Sequence, residues 1–371
     1  VDNFEGVFNQ VVSVDIRSKS NGLRLFDFGL VCRENKDYKT AIKAFQEAVS
    51  ITNSKEIKIK AQIAVLNVGY IKIAQLKSYS KEELQKVINN YEDVISNIAS
   101  LGPKTLSLIL EYSELLAYHY GDKAKALKVL SEAYSSPFLT DMMKAKVKML
   151  KADIEVLNGN VWDASLMYMQ IAESFNYETI GNWAKFKNAR IFYYEGEFDF
   201  AQSQLDVLKQ STSKLLSNDA IQLSVTITDN YGLDSNYIAM AWFSKADLFI
   251  EQFKFAQAFS LFDSIQVNYP FHALADEILY KRAKAMELQG NWTRALGYYD
   301  DIIKFHKEDI LADDALFKAA EILENKLYRE EESLEKYKEL LMGYPSSLYG
   351  HETRKRVRRL RGEKDTSPTE F

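Results

Sequence analysis

The sequence has few of the residues from which disulfides, metal centres and catalytic sites are usually built. Its 371 residues include one cysteine, Cys32, and four histidines. A single cysteine excludes an intramolecular disulfide and a zinc site made of several cysteines. No H-x-x-x-H or H-E-x-x-H pair, glycine-rich phosphate-binding motif or G-x-S-x-G turn occurs. We therefore expect a protein that is not an enzyme and that uses no cofactor or metal.

One histidine lies close to an acidic residue in the sequence. His272 and Asp276 are four residues apart and would share one face of a helix. We interpret them as a polar pair at the start of a helix rather than as a metal site.

Glycine (15 residues) and proline (5 residues) are also scarce, which is typical of an all-helical chain with few tight turns. With 47% hydrophobic and 27% charged residues, the composition is that of a folded chain. The net charge of −5 is too small to indicate nucleic acid as a bulk partner. No apolar run reaches the roughly 18 residues of a membrane-spanning helix. Because the chain begins with Val1, we expect a processed or excised form, in which a signal peptide would not be visible.

The chain contains an internal repeat. HALADEILYKRA, from 272, and DILADDALFKAA, from 309, are nearly the same sequence 37 residues apart. Within each repeat, apolar residues recur at the spacing of two helices, and alanine recurs where the two helices approach closely. The repeated acidic residues after Leu274 and Leu311 complement the helix dipole in a first turn. The repetition therefore indicates a repeated structural unit and not a catalytic motif.

This order of residues resembles the tetratricopeptide repeat (TPR). The copy that begins at Leu23 has Leu25, Gly29, Tyr38, Ala41, Phe45 and Ala48 at the family's positions. The resemblance implies an all-α TPR superhelical solenoid of about eight helix-turn-helix repeats. The first five repeats are predicted near 24–57, 59–100, 104–138, 142–177 and 181–212.

The spacing between repeats changes once. Ala201 and Ala258 are 57 residues apart, which is one repeat plus about twenty residues. We interpret the excess as one unpaired inserted helix that forms a joint, and the alternative is an ordinary long repeat. The predicted organisation is an N-terminal TPR arm (1–213), the inserted helix (214–235), a C-terminal TPR arm with a capping helix (236–362), and a disordered tail (363–371).

In TPR arrays the first helices line a concave groove, and the resemblance places an aromatic column there. The column consists of Phe26, Phe186, Phe243, Tyr280 and Phe317, and Trp183, Arg190, Tyr193 and Tyr194 lie nearby. Aromatic residues and arginine are frequent anchors of binding sites. Two interpretations remain open: the rings line a binding groove, or they stack between helices as core.

Other predicted lining residues of the groove are mixed in charge, namely Asp247, Lys284, Glu287 and Glu321. The Lys/Asn clamp with which some TPR domains hold a C-terminal carboxylate is absent.

A basic segment lies near the C-terminus. Six of eight residues are basic, namely Arg354, Lys355, Arg356, Arg358, Arg359 and Arg361. One interpretation is a capping helix whose basic residues suit a helix C-terminus. The other is contact with anionic lipid headgroups or an acidic protein partner.

We therefore expect a non-catalytic scaffold that binds an extended or helical segment of another protein in the concave groove. The closing segment YKELLMGYPSSLYG resembles helix ends of periplasmic outer-membrane-assembly TPR lipoproteins. The C-terminal half resembles uncharacterised TPR proteins of Bacteroidetes-type bacteria. This resemblance implies a periplasmic location near the outer membrane. The alternatives are a carbohydrate-binding TPR protein of outer-membrane nutrient uptake and a cytoplasmic TPR regulator.

Overall fold

A computed structural model describes residues 4–76, 79–97, 105–210, 213–231 and 237–363. These residues form nineteen α-helices and no β-strand. In chain order the helices are α1 Phe4–Arg17, α2 Leu23–Glu34, α3 Tyr38–Ile51, α4 Lys55–Tyr70, α5 Lys81–Ser96, α6 Leu106–Glu114, α7 Lys123–Tyr134, α8 Asp141–Asn158, α9 Val161–Ser174, α10 Thr179–Tyr194, α11 Phe198–Leu208, α12 Lys214–Tyr231, α13 Tyr237–Glu251, α14 Phe255–Asn268, α15 Ala275–Leu288, α16 Trp292–Phe305, α17 Ala312–Asn325, α18 Glu330–Gly343 and α19 Gly350–Leu360. The helices α4 and α6 each continue into a π-helical turn, at Ile71–Gln75 and Leu115–Tyr120.

Sixteen of the described helices form eight helix-turn-helix repeats. The pairs are α2/α3, α4/α5, α6/α7, α8/α9, α10/α11, α13/α14, α15/α16 and α17/α18. Helix α12 is the inserted helix and packs mainly on α11, and α19 packs on α18 as a C-terminal cap. The predicted fold class is confirmed. The predicted disordered tail lies outside the described residues, except for Glu363.

The chain divides into two compact units, Val1–Asn176 and Tyr177–Phe371. We call them the N-terminal unit and the C-terminal unit. This division falls after α9, whereas the predicted joint lies at 214–235. The two-arm organisation of the sequence analysis stays a prediction.

Helix α1 was not predicted, because it precedes the first recognisable repeat. Its apolar residues Phe8, Val11 and Val12 pack on the core of the first repeat. Its buried Asp15 accepts hydrogen bonds from the backbone N–H groups of Gly22 (2.8 Å) and Arg24 (2.9 Å). Asp15 thereby satisfies N–H groups at the start of α2 that have no partner within that helix.

Polar side chains fix the points at which several second helices begin. Asp37 accepts from the N–H of Thr40 at 3.1 Å at the start of α3, and Asn291 accepts from that of Arg294 at 3.2 Å at the start of α16. Such N-caps contribute about 1 kcal/mol each. Because the cap fixes the residue at which the second helix begins, it also fixes where the chain reverses direction within the helix pair.

The glycine of the first repeat allows close packing of α2 on α3. A Cβ atom at Gly29 would lie 2.5 Å from Cε1 of Phe45, whose side chain has no exposed surface. We expect Gly29→Ala to lower the free energy of unfolding by about 1–2 kcal/mol, because overpacking outweighs the better helix propensity of alanine. Urea unfolding followed by circular dichroism measures the difference.

A matched control for this substitution is Gly297→Ala, within α16. A Cβ there meets no atom within 4 Å. We expect it to stabilise the protein by about 0.5–1 kcal/mol, since only helix propensity changes. Equal effects of the two substitutions would contradict the packing argument.

Candidate functional site

The aromatic column packs within individual repeats. Four of its five rings contact an aromatic ring on the second helix of the same repeat, 19 or 20 residues later. The centroid distances are 5.6 Å for Phe26–Phe45, 5.9 Å for Phe243–Phe262, 5.6 Å for Tyr280–Tyr299 and 6.0 Å for Phe317–Tyr337. Phe243 has no exposed surface and Phe317 is 4% exposed, whereas Phe26 and Tyr280 are half-buried. For Phe243 and Phe317 the core interpretation therefore describes the structure.

The fifth ring of the column, Phe186, and the nearby rings of Tyr193 and Tyr194 are buried on α10. Phe186 packs edge-to-face against the half-buried Trp183, with centroids 6.0 Å apart. Tyr193 and Tyr194 belong to an aromatic cluster around Phe198, which also receives rings from α12 and α13. These tyrosines are therefore linked to the inserted helix through Phe198. Their role in binding a partner stays a prediction.

Arg190 remains half-buried on α10. Its guanidinium donates to the carboxylate of Glu251 and to the hydroxyl of Tyr194, and it lies 5.3 Å from the Tyr194 ring centroid. The negative charge of Glu251 is therefore compensated, and Arg190 lowers the pKa of that carboxyl. A role of Arg190 in binding stays a prediction.

Charged residues on the first helices of the C-terminal unit form a ladder between neighbouring repeats. At one position of the repeat stand Asp247, Lys284 and Glu321, and at the facing position of the next repeat stand Lys281, Lys318 and Arg356. Asp247 pairs with Lys281 at 2.7 Å, and Glu321 pairs with Arg356 at 2.8 Å. We call these six residues the charge ladder.

The middle step of the charge ladder joins two positive charges. Lys284 and Lys318 stand where the other two steps have opposite charges. Among the described residues, each forms an ion pair only within its own helix, with Glu287 (3.4 Å) and Glu321 (2.7 Å). Burial lowers the pKa of Lys284, and the charge of Lys318 lowers it further, while Glu287 opposes the shift. Burial raises the pKa of the Asp314 carboxyl, and both lysines act against this larger effect and lower that pKa. An anion is therefore favoured near both ammonium groups.

Tyr280 adds an aromatic surface to this middle step. Its ring is half-buried, and its centroid lies 5.7 Å from the ammonium of Lys284. The two lysine side chains are 32% and 28% exposed. Tyr280, Lys284 and Lys318 together form an accessible cationic and aromatic surface, which we call the lysine step.

The basic residues of the C-terminal helix α19 form two groups: some bind acidic residues of the last repeat, and the others face solvent. Arg356 donates to Glu321, Glu324 and Tyr337, and Arg359 donates to Glu324. The remaining predicted residues, Arg354, Lys355, Arg358 and Arg361, are exposed. Two of the six basic residues therefore hold α19 on α17, as the capping interpretation predicts. For the other four residues, contact with an anionic partner stays a prediction.

Cys32 does not form a reactive site. Its side chain has no exposed surface, and burial raises the pKa of its thiol to about 11. A protonated, enclosed thiol is neither a nucleophile nor a metal ligand. None of the helices in the described residues combines the length and the apolarity that crossing a bilayer requires.

Comparison with known protein families identifies one repeat directly. Residues 277–308, which span most of α15, α16 and the turn between them, match the tetratricopeptide repeat. The TPR resemblance is confirmed. These residues contain Tyr280 and Lys284 of the lysine step. Comparison with curated protein sequences gives no match.

Solved structures with a similar fold include other TPR proteins. A tetratricopeptide repeat protein from Parabacteroides merdae shares 12% identity over 81% of this chain and 99% of its own, with a TM-score of 0.42. The human IFIT1 dimer with PPP-AAAA shares 13% over 97% and 79%, with a TM-score of 0.35. The P58(IPK) TPR domain shares 13% over 99% and 96%, with a TM-score of 0.28. At these identities the likeness concerns the fold alone.

Sequence reasoning identified Tyr280 and Lys284 but missed Lys281 and Lys318. A second series of basic residues recurs with the repeat period and could have revealed them. Lys281 and Lys318 are 37 residues apart, and Arg356 follows 38 residues later. Only the packing of neighbouring first helices shows which members of the two series face each other.

Proposed function

We propose that the protein is a non-catalytic interaction scaffold, and that the lysine step of the C-terminal unit binds an acidic residue of an extended or helical partner segment. The observation that carries the proposal is that two lysines, Lys284 and Lys318, occupy the positions at which the neighbouring repeats form the ion pairs Asp247–Lys281 and Glu321–Arg356. Among the described residues, each lysine has an acidic ion-pair partner on its own helix but none on the helix of the adjacent repeat. An acidic residue of a partner that contacts both ammonium groups would supply that missing cross-repeat pair.

The half-buried Tyr280 supports this site as an anchor. Tyrosine supplies a large contact area at a low entropic cost and can donate a hydrogen bond. The partner would therefore combine a carboxylate with an apolar or aromatic neighbour.

The proposal is tested by affinity capture from native cell extracts, with retained proteins identified by mass spectrometry. We expect Lys284→Glu/Lys318→Glu to retain the partner at least about tenfold less well than the unchanged protein, a loss of about 1.4 kcal/mol or more. Reversing both charges turns attraction into repulsion. Circular dichroism checks that the variant folds, because the change also removes the ion pairs with Glu287 and Glu321. Raising the ionic strength should weaken retention by the unchanged protein.

The matched control is Arg294→Glu/Lys304→Glu, which makes the same change of charge on the exposed face of α16. We expect this variant to retain the partner normally. Equal retention by both variants would refute binding at the lysine step, and equal loss would show only an effect of net charge.

The cellular location is a separate proposal that rests on the resemblance of the closing segment alone. We propose the periplasm, in association with the outer membrane. Fractionation of cells that make the full-length protein tests this. Recovery in the cytosolic fraction would favour the cytoplasmic alternative.

A further inference from the structure

Three potential metal ligands from two consecutive repeats converge beside the turn between α16 and α17. Asp276 lies at the start of α15, His306 directly follows α16, and Asp309 lies in the turn. One ligand atom of each residue lies within 4.8 Å of the others. His306 Nδ1 and an Asp309 carboxylate oxygen are 2.9 Å apart. Sequence reasoning paired Asp276 with His272, whereas the structure groups it with a histidine from the following turn.

The burial of Asp276 favours a cation. Asp276 is 4% exposed and shares a side-chain hydrogen bond with the carboxyl of Glu277, and in the described part of the chain no lysine or arginine forms an ion pair with it. A carboxylate removed from water without a compensating cation is costly. His306 is half-buried and Asp309 is exposed, so an ion can reach the site from solvent.

The ligand set is specific to this pair of repeats. The next repeat has Asp313 at the position of Asp276, followed by Tyr344 and Ser347 at the positions of His306 and Asp309. There the Tyr344 hydroxyl donates to the backbone carbonyl of Lys307 at 2.7 Å, and the Ser347 hydroxyl accepts from the N–H of Tyr349 at 3.2 Å. In that turn, the side chains at these two positions form hydrogen bonds with backbone groups. The set of one histidine and two aspartates is therefore not a general property of the repeat.

We propose that Asp276, His306 and Asp309 bind one divalent first-row transition-metal ion of the zinc type. One imidazole and two carboxylates suit such an ion, and three protein ligands leave a fourth position for water. Tetrahedral zinc with bonds of about 2.1 Å requires ligand atoms about 3.4 Å apart. The 2.9 Å between His306 Nδ1 and the Asp309 carboxylate would therefore widen, and separations of up to 4.8 Å would shorten. Both changes require side-chain rotation, for which the exposed Asp309 has room.

The bound ion would join two repeats of the C-terminal unit. It would connect the first turn of α15 with the turn between α16 and α17, so that opening either repeat would require release of the metal. Ligands that bind only the folded state stabilise it in proportion to the logarithm of their concentration. The site is separate from the lysine step and does not depend on the proposed scaffold function.

Isothermal titration of chelator-treated full-length protein with zinc chloride tests the proposal. We expect one ion per chain and a rise in melting temperature on zinc addition. His306→Gln should weaken binding at least about tenfold and abolish the rise, since it removes the only nitrogen ligand. Asp276→Asn should do the same. Because His306 is half-buried, His306→Gln tests the site even if Asp276→Asn does not fold.

The control variant is His351→Gln, which removes an exposed histidine on α19 and should bind zinc like the unchanged protein. The proposal is overturned if zinc does not bind saturably at one equivalent, or if His306→Gln binds as tightly as His351→Gln. Manganese and calcium, titrated in parallel, should bind more weakly, because neither shares the preference of zinc for imidazole.

Discussion

Replacing Phe243 with alanine is expected to lower the free energy of unfolding by about 3–5 kcal/mol. The side chain has no exposed surface, and its ring packs against that of Phe262 with centroids 5.9 Å apart. Removal of the ring leaves a cavity between α13 and α14 that the surrounding helices can fill only in part. This position was the most central member of the predicted aromatic column.

Urea unfolding together with amide hydrogen exchange of α13 and α14 measures the effect, because local opening of a repeat appears in exchange rates before global unfolding. Phe243→Leu, which keeps most of the buried volume, should lose about 1–1.5 kcal/mol. Phe271→Ala removes a ring that is 99% exposed and should change stability by less than about 0.5 kcal/mol. If Phe243→Ala kept normal stability but lost the captured partner, the ring would be a binding anchor and the core assignment would fail.

Replacing Arg356 with alanine is expected to cost about 3 kcal/mol, because it breaks a largely buried ionic network. The guanidinium contacts Glu321 at 2.8 Å, Glu324 at 3.4 Å and the Tyr337 hydroxyl at 2.9 Å. The side chain of Glu324 is only 6% exposed. Without Arg356, this carboxylate keeps one arginine, Arg359, whose own side chain is 64% exposed.

Thermal unfolding of Arg356→Ala, Glu324→Gln and the double variant forms a double-mutant cycle. We expect a coupling free energy of about 1–3 kcal/mol, since the residues belong to one network. Arg358→Ala removes an exposed arginine from the same helix and should change stability by less than about 0.5 kcal/mol. Equal losses for Arg356 and Arg358 would mean that the helix contributes through its net charge alone.

The Phe243 and Arg356 substitutions together would distinguish residues that stabilise the C-terminal unit from residues that bind a partner. Phe243 and Arg356 hold the repeats and the cap, whereas Lys284 and Lys318 keep exposed charge. A partner that depends on the lysine step should still be captured by Arg358→Ala. The surface formed by Arg354, Lys355 and Arg358 would be implicated only if that capture failed.

The repeats could be predicted because their packing follows a fixed local rule. The 37-residue period, the alanines at close helix contacts and Gly29 facing Phe45 all depend on residues within one helix pair. Helix α12 was predicted from the spacing of the alanines around it. Helix α1 was not predicted, because its residues do not match the repeat pattern.

The sequence by itself determined the all-α repeat architecture with its inserted helix, since helical periodicity and small-residue spacing are encoded locally. Tertiary structure decided which side chains are covered. The ring of Phe243 is enclosed by Phe262 whereas Tyr280 keeps an exposed surface, although both occupy the same position of the repeat. It also decided that Lys284 meets Lys318 and that Asp276 meets His306. The exposure and charge environment of a side chain depend on neighbouring helices, whose residues are tens of positions away in the sequence.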